Sequence, residues 1–171
     1  MKGFISIDIP TKSYIKAYII SQLGEKPVMN TDHIFGNKLY DILEHSTNER
    51  KKEFSNERYN AVLRVFISRH TFYKRGCNLN ETNIKNFNIF IEKKIKHRFY
   101  ELMDDAIEIL PVFEANLMEI RRKLGIDIEA WGDDSMKKDY YRYRKNKNLP
   151  LLYNKITART VPSEHPSGLP F

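Results

Sequence analysis

The residues with the clearest capacity for chemistry lie in one segment, 133–149, which reads DDSMKKDYYRYRKNKNL. After its first three residues it contains a single acid, Asp139, and three tyrosines. Its cations are Lys137, Lys138, Arg142, Arg144, Lys145 and Lys147. Cationic side chains neutralise nucleic-acid phosphates, and arginine can also bind the edge of guanine. The segment therefore predicts a surface that binds a nucleic acid.

The same segment has the pattern of one short helix with two different faces. Asp133, Asp134 and Ser135 are suitable residues for the start of a helix, and Pro150 ends it. Helical periodicity places an apolar stripe on one side, formed by Met136, Tyr140 and Tyr143. The opposite side carries Lys138, Tyr141, Arg142 and Lys145, with Lys137 and Arg144 on the flank. The alternative interpretation is a solvated basic helix with an ordinary aromatic core stripe.

Residues that could support catalysis or metal binding are less promising. None of the five histidines has the spacing of a metal ligand relative to another histidine or to Cys77, and no glycine-rich phosphate loop is present. Asp104, Asp105 and Glu108 could bind a metal ion for nuclease chemistry. A solvated acidic helix end explains these three residues better. We therefore expect no enzymatic activity, no cofactor and no metal.

Composition points to an intracellular basic protein. The 171 residues are 41% hydrophobic, enough for a buried core, and the net charge is +7. That charge favours an anionic partner: a nucleic acid, an acidic protein or an anionic membrane surface. Cys77 is the only cysteine, so no internal disulfide can form. Since no signal peptide or apolar membrane-spanning run is evident, we expect a cytoplasmic protein that does not enter a membrane.

The first part of the chain has the pattern of a small α+β unit. Alternating apolar residues predict a strand over residues 3–9, and a helical stripe follows up to Gly24. Residues 26–29 fit a second short strand, and a capped helix is expected from about residue 31 to residue 45. Residues 59–73 are β-branched and aromatic, which predicts a third strand. Loops are expected at 46–57 and 74–81. The predicted order is β-α-β-α-β.

From Thr82 the chain becomes helical. Apolar residues recur every three or four positions up to residue 109, which predicts one amphipathic helix roughly 40 Å long. Such a helix could join the two halves of the chain or offer a face to a second copy. Its basic middle, near Lys94 and Arg98, is best explained as a solvated face. Another helix follows Pro111 and ends at Gly125, and we expect Trp131 to pack against it.

Residues 112–147 resemble a helix-turn-helix DNA-binding unit of the phage or mobile-element type. Ile120 and Leu124 are spaced by one helical turn, Gly125 and Ile126 stand at the turn, and the basic helix follows. The resemblance implies that the second helix enters the major groove while the first crosses the backbone. The segment departs from the usual pattern in two respects. About nine residues separate the helices, and Arg121 stands where a small residue is common.

Together these observations predict three parts: an α+β unit at 1–76, a helical part at 77–150 and an extended tail at 151–171. The predicted function is duplex DNA binding, as in a transcriptional regulator, with homodimerisation through the long helix and no small-molecule substrate. The alternative is a structural or adaptor protein of a phage or mobile element. The predicted nucleic-acid-binding residues are Arg121, Arg122, Lys137, Lys138, Tyr141, Arg142, Arg144 and Lys145.

Overall fold

The computed structural model describes residues 3–45 and 59–150, and this part of the chain has an α+β fold with two strands and six helices. The α+β class predicted from the sequence is thereby confirmed, and most of the described residues are helical. In chain order the elements are β1 (Phe4–Thr11), α1 (Ser13–Leu23), α2 (Ile34–Ile42), β2 (Ala61–Ser68), α3 (Arg69–Arg75), α4 (Glu81–Ile109), α5 (Phe113–Leu124) and α6 (Asp133–Asn146).

The two strands form an antiparallel ribbon with one buried face. Phe4 pairs with Ser68 at one end and Thr11 with Ala61 at the other. Alternate apolar residues of both strands are buried: Ile7, Ile9, Leu63, Val65 and Ile67. The opposite face is exposed and carries an ion pair between Asp8 and Arg64. A two-stranded ribbon has little stability alone, so its buried face must pack on the helices.

The predicted β-α-β-α-β order is not confirmed. Val28 forms an isolated parallel bridge to Phe66, and residues 26–29 are not assigned as a strand. The strand predicted at 59–73 is wrong from residue 69 onward, where α3 begins. The Ser68 side chain accepts a hydrogen bond from the Thr71 amide at 3.1 Å, and this cap favours a helix over further extension. The loop predicted at 46–57 lies outside the described residues.

Helix α4 forms the centre of the core. Ile91, Ile95 and Phe99 of its apolar stripe are completely buried, whereas Ile109 at the end of the stripe is 88% exposed. It packs on β1, α1, α2 and α5, and one continuous core contains side chains from all of these elements. The stripe up to Phe99 is therefore covered within the chain itself, and homodimerisation through α4 stays a prediction. None of the described helices is long and apolar enough to cross a membrane.

The connection between α5 and α6 is fixed by close packing. Gly125 ends α5 in the left-handed conformation with φ 64°, as its position in the sequence predicted. A Cβ atom at this position would lie 2.2 Å from Cβ of Ser21 on α1. Trp131 is buried as expected, but it stacks on Tyr14 of α1 with ring centroids 5.1 Å apart and meets the edge of Phe99. Its ring partners therefore come from α1 and α4, and its packing on α5 stays a prediction.

Candidate nucleic-acid interface

The basic helix α6 begins at Asp133, after Gly132, and is held by its apolar side. Met136 and Tyr140 are completely buried. Asp133 and Asp134 occupy the first turn, where negative charge stabilises a helix, although no side chain caps its amides. The predicted two-faced helix is thus present, and its packing side is the one that the apolar stripe indicated.

Helix α6 lies beside α4 and runs parallel to it. Lys96 Nζ of α4 lies 2.9 Å from a carboxylate oxygen of Asp139 on α6. One turn further along both helices, the rings of Tyr100 and Tyr143 stack with centroids 4.2 Å apart and an interplanar angle of 11°. The two pairs have the same separation in the sequence, so the helices advance in the same direction.

Contacts between α5 and α6 follow the opposite order. Arg121, late in α5, lies 2.5 Å from Asp133 at the start of α6. Phe113 at the start of α5 packs near Tyr141, with ring centroids 6.2 Å apart. This order is that of two antiparallel neighbours, and eight residues, Gly125 to Gly132, connect them. A helix-turn-helix unit has a shorter turn and helices crossing at about 90–120°, so the resemblance stays a prediction here.

Three of the predicted binding residues share the open side of α6. Lys138, Arg142 and Lys145 are all exposed, at positions that helical spacing places on one side. Arg142 keeps 71% of its side chain exposed while donating to Asp139 at 3.2 Å. These three side chains could approach an external anion without any rearrangement of the core.

Two other predicted residues instead form contacts within the protein. The Arg121 side chain is only 11% exposed, and it donates hydrogen bonds to the carbonyls of Asp127 and Trp131 and to Asp133. It thereby closes the connection before α6. Arg144 is buried, and its contacts are with Tyr140, Asp104 and the backbone after the helix. Neither guanidinium faces the open side of α6.

The remaining predicted residues, Arg122, Lys137 and Tyr141, each contact a neighbouring side chain. Arg122 on α5 is 79% exposed and forms two hydrogen bonds of 2.9 Å with Glu119. Lys137 forms an ion pair with Glu114, and Tyr141 is half-buried. Hydrogen bonding by Arg122 lowers the pKa of Glu119, and hydrogen bonding by Lys137 lowers that of Glu114.

A chain of alternating charges, which sequence reasoning missed, links the first strand to the exposed face of α6. Lys12, just after β1, lies 2.8 Å from Glu92 on α4, and Glu92 lies 3.1 Å from Lys96. Lys96 then contacts Asp139, which also receives the hydrogen bond from Arg142. Burial alone would raise the pKa of Glu92, but its bonds to the two lysines lower it overall. The only available signal was the spacing of Glu92 and Lys96 by one helical turn.

The acidic cluster on α4 is partly used for packing. Asp104 accepts hydrogen bonds from the hydroxyls of Tyr140 at 2.5 Å and Tyr143 at 2.9 Å. Burial, together with these bonds to a carboxylate, raises the pKa of both tyrosines, so neither hydroxyl is activated for nucleophilic attack. Asp105 and Glu108 are exposed, and the described residues contain no group of three or more potential metal ligands.

No protein-family model, curated protein or solved structure matches the chain in the comparisons made. The case for function therefore depends on the surface chemistry of α6 and its neighbours.

Proposed function

We propose that the protein binds duplex DNA through the exposed side of α6. The observation that supports this proposal is that the residues of α6 that pack in the core and the cations exposed to solvent lie on different sides of the helix. Met136 and Tyr140 are buried in the core, whereas Lys138, Arg142 and Lys145 are exposed together on the other side. A basic surface whose cations are not needed for folding is suited to phosphate neutralisation.

The expected contacts are primarily electrostatic. A lysine or arginine that meets a phosphate releases counterions, so the affinity falls as salt rises. Lys138 and Lys145 supply mobile point charges. Arg142 could exchange its bond to the Asp139 carboxylate for a bidentate bond to a phosphate, because its side chain is largely exposed. The net charge of +7 would assist the encounter with the polyanion.

The proposed contact set is smaller than the one predicted from the sequence. Arg121 and Arg144 are left out because their donors are used within the protein. Arg122, Lys137 and Tyr141 are peripheral in this proposal. Entry of α6 into the major groove and a role in transcription regulation remain predictions. A base contact by Arg142 would cost about 1–3 kcal/mol when removed and would relax preference at one position.

The test compares two triple variants that lose the same charges. The first is Lys138→Ala, Arg142→Ala and Lys145→Ala. The control is Lys26→Ala, Arg75→Ala and Lys85→Ala, which also removes two lysines and one arginine from exposed positions. Fluorescence anisotropy on a random-sequence duplex, measured over a range of salt concentrations, gives the salt slope of affinity. We expect the first variant to lower that slope by about three, with the control close to wild type.

Two results would contradict the proposal. If both triple variants lose affinity equally, net charge and not the α6 surface governs binding. If the wild-type protein fails to bind at about 50 mM salt, where phosphate contacts are strong, duplex DNA is not its partner. That second result would favour the structural or adaptor alternative, in which the same basic surface meets an acidic protein. Circular dichroism melts of each variant establish that the compared proteins are folded.

A further inference from the structure

Helix α4 brings further basic side chains to the surface beside α6. Its contacts with α6 include those of Lys96 and Tyr100. Residues three or four positions apart are neighbours on a helix surface. Lys93 and His97, both exposed, therefore lie next to these two residues and on the α6 side of α4. His97 also lies 3.2 Å from Glu101, an acid at the edge of this region.

The neighbouring cations of α4 point to a different part of the molecule. Lys94 Nζ lies 5.8 Å from the centre of the Phe90 ring, and Lys38 of α2 approaches the same ring. Arg98 follows Lys94 by one helical turn and therefore lies on the same side of α4. Its charge acts to lower the pKa of Tyr18 on α1, which burial raises. Lys94 and Arg98 thus face α1 and α2.

Charges from α4 and α6 converge at the junction of the two helices. Burial and Asp139 raise the pKa of Tyr100, whereas the charges of Lys96 and Arg142 act against this increase. Asp139 of α6 contacts Lys96 at 2.9 Å and accepts a hydrogen bond from Arg142 at 3.2 Å, which brings Arg142 to this junction. We call the shared surface the α4–α6 face. Its exposed basic side chains are Lys93, His97, Lys138, Arg142 and Lys145.

The width of this surface bears on how a duplex could bind. Packed helices lie about 8–10 Å apart, and each is about 10–12 Å wide with its side chains. The major groove is about 12 Å wide and admits a single helix. A surface made by two parallel helices is therefore too broad to enter the groove, and it would meet phosphates on either side.

We propose that the α4–α6 face binds the phosphate backbone of duplex DNA as one unit, with Lys93 supplying a contact that is independent of base sequence. This inference rests on the proposed function, which assigns DNA binding to α6 alone. It extends the binding surface to an element that the sequence marked only as a solvated basic stretch. His97 stands beside Lys93 as a second polar group within reach of the backbone.

Two adjacent lysines provide a matched test. Lys93→Ala and Lys94→Ala each remove one exposed lysine from α4, but only Lys93 lies on the α6 side. Anisotropy titrations with two duplexes of unrelated sequence would be carried out over a range of salt for wild type, both single variants and the α6 triple variant. We expect Lys93→Ala to lower the salt slope by about one on both duplexes, and Lys94→Ala to leave it unchanged.

The possible failures are distinguishable. If the α6 triple variant weakens binding but Lys93→Ala does not, α4 is not part of the binding surface. The inference is then wrong, and the proposed function stands. If Lys93→Ala and Lys94→Ala lower the salt slope equally, the loss is due to net charge and not to the position of Lys93. This result would also overturn the inference. An effect of Lys93→Ala on one duplex only would contradict the phosphate assignment. If wild type does not bind either duplex, the proposed function fails and this inference fails with it.

Discussion

Replacing Arg144 by alanine should impair folding and leave DNA binding by the folded protein intact. The sequence placed this arginine among the binding residues, but the structure places it in the core. Its Nη1 donates to the Tyr140 hydroxyl at 2.9 Å, and its Nε donates to the Pro150 carbonyl at 3.0 Å. The guanidinium also lies 3.5 Å from Asp104 and over the ring of Tyr140.

The magnitude follows from these contacts. Hydrogen bonds to charged groups contribute about 1.5–3 kcal/mol each, and breaking a buried ion pair costs about 3–5 kcal/mol. Asp104 keeps 31% of its side chain exposed, so in the Arg144→Ala variant water can solvate the carboxylate that has lost its ion pair with Arg144. We therefore expect Arg144→Ala to lower the free energy of unfolding by about 2–4 kcal/mol.

Urea unfolding followed by circular dichroism measures this change, and Lys145→Ala is the natural control. Lys145 is the next residue, is exposed and has no ion pair among the described residues, so its loss should change stability by less than about 0.5 kcal/mol. Binding should show the reverse order, with Lys145→Ala weakening affinity and folded Arg144→Ala retaining it. A stable Arg144→Ala protein with reduced DNA affinity would refute the structural role assigned to this arginine.

Three further predictions concern the core and the charge chain. Trp131 should show blue-shifted fluorescence that DNA does not quench, because its ring is buried; emission like that of free tryptophan would exclude the packing described. Gly125→Ala should destabilise the fold by at least about 1 kcal/mol in urea melts, because its φ is 64° and its Cβ would overlap α1. Gly132→Ala, with open space around the Cβ, should have a smaller effect. Glu92 has a lowered pKa in the folded state, so its contribution to stability is present above its ordinary pKa of 4.5 and is lost as pH falls through the folded value. Glu92→Gln should therefore reduce the fall in melting temperature at acid pH. If the melting temperature of the variant depends on pH as that of wild type does, this stabilising role of Glu92 is wrong.

The sequence by itself predicted most of the buried side of α4 and α6. The regular apolar spacing predicted α4 nearly to the residue, and on α6 it separated buried Met136 and Tyr140 from the exposed cations Lys138, Arg142 and Lys145. Gly125 marked the end of α5 because few other residues adopt a positive φ without strain. These features depend on local geometry and on the distribution of apolar side chains, which one chain segment contains in full.

The boundary between β2 and α3 shows where local pattern was insufficient. Residues 59–73 have strand-like composition throughout, but the strand pairs with β1 only up to Ser68, opposite Phe4. Past that point Arg69 donates one further hydrogen bond to the Gly3 carbonyl, and the Ser68 cap starts a helix. Propensity for strand is strongly dependent on the presence of a partner, and the extent of that partner is a tertiary property.

Only the tertiary structure decided what each side chain on the flank of a helix touches. Arg144 and Arg142 are two residues apart on α6, yet one is bound to Tyr140 in the interior and the other is largely exposed. Periodicity gives the direction of a side chain relative to its own helix, but not the neighbouring element that it meets. The parallel placement of α4 beside α6, seen in the Lys96–Asp139 contact, depends on residues far apart in the chain. The sequence therefore indicated the basic helix, and packing determined which of its cations remain available to bind.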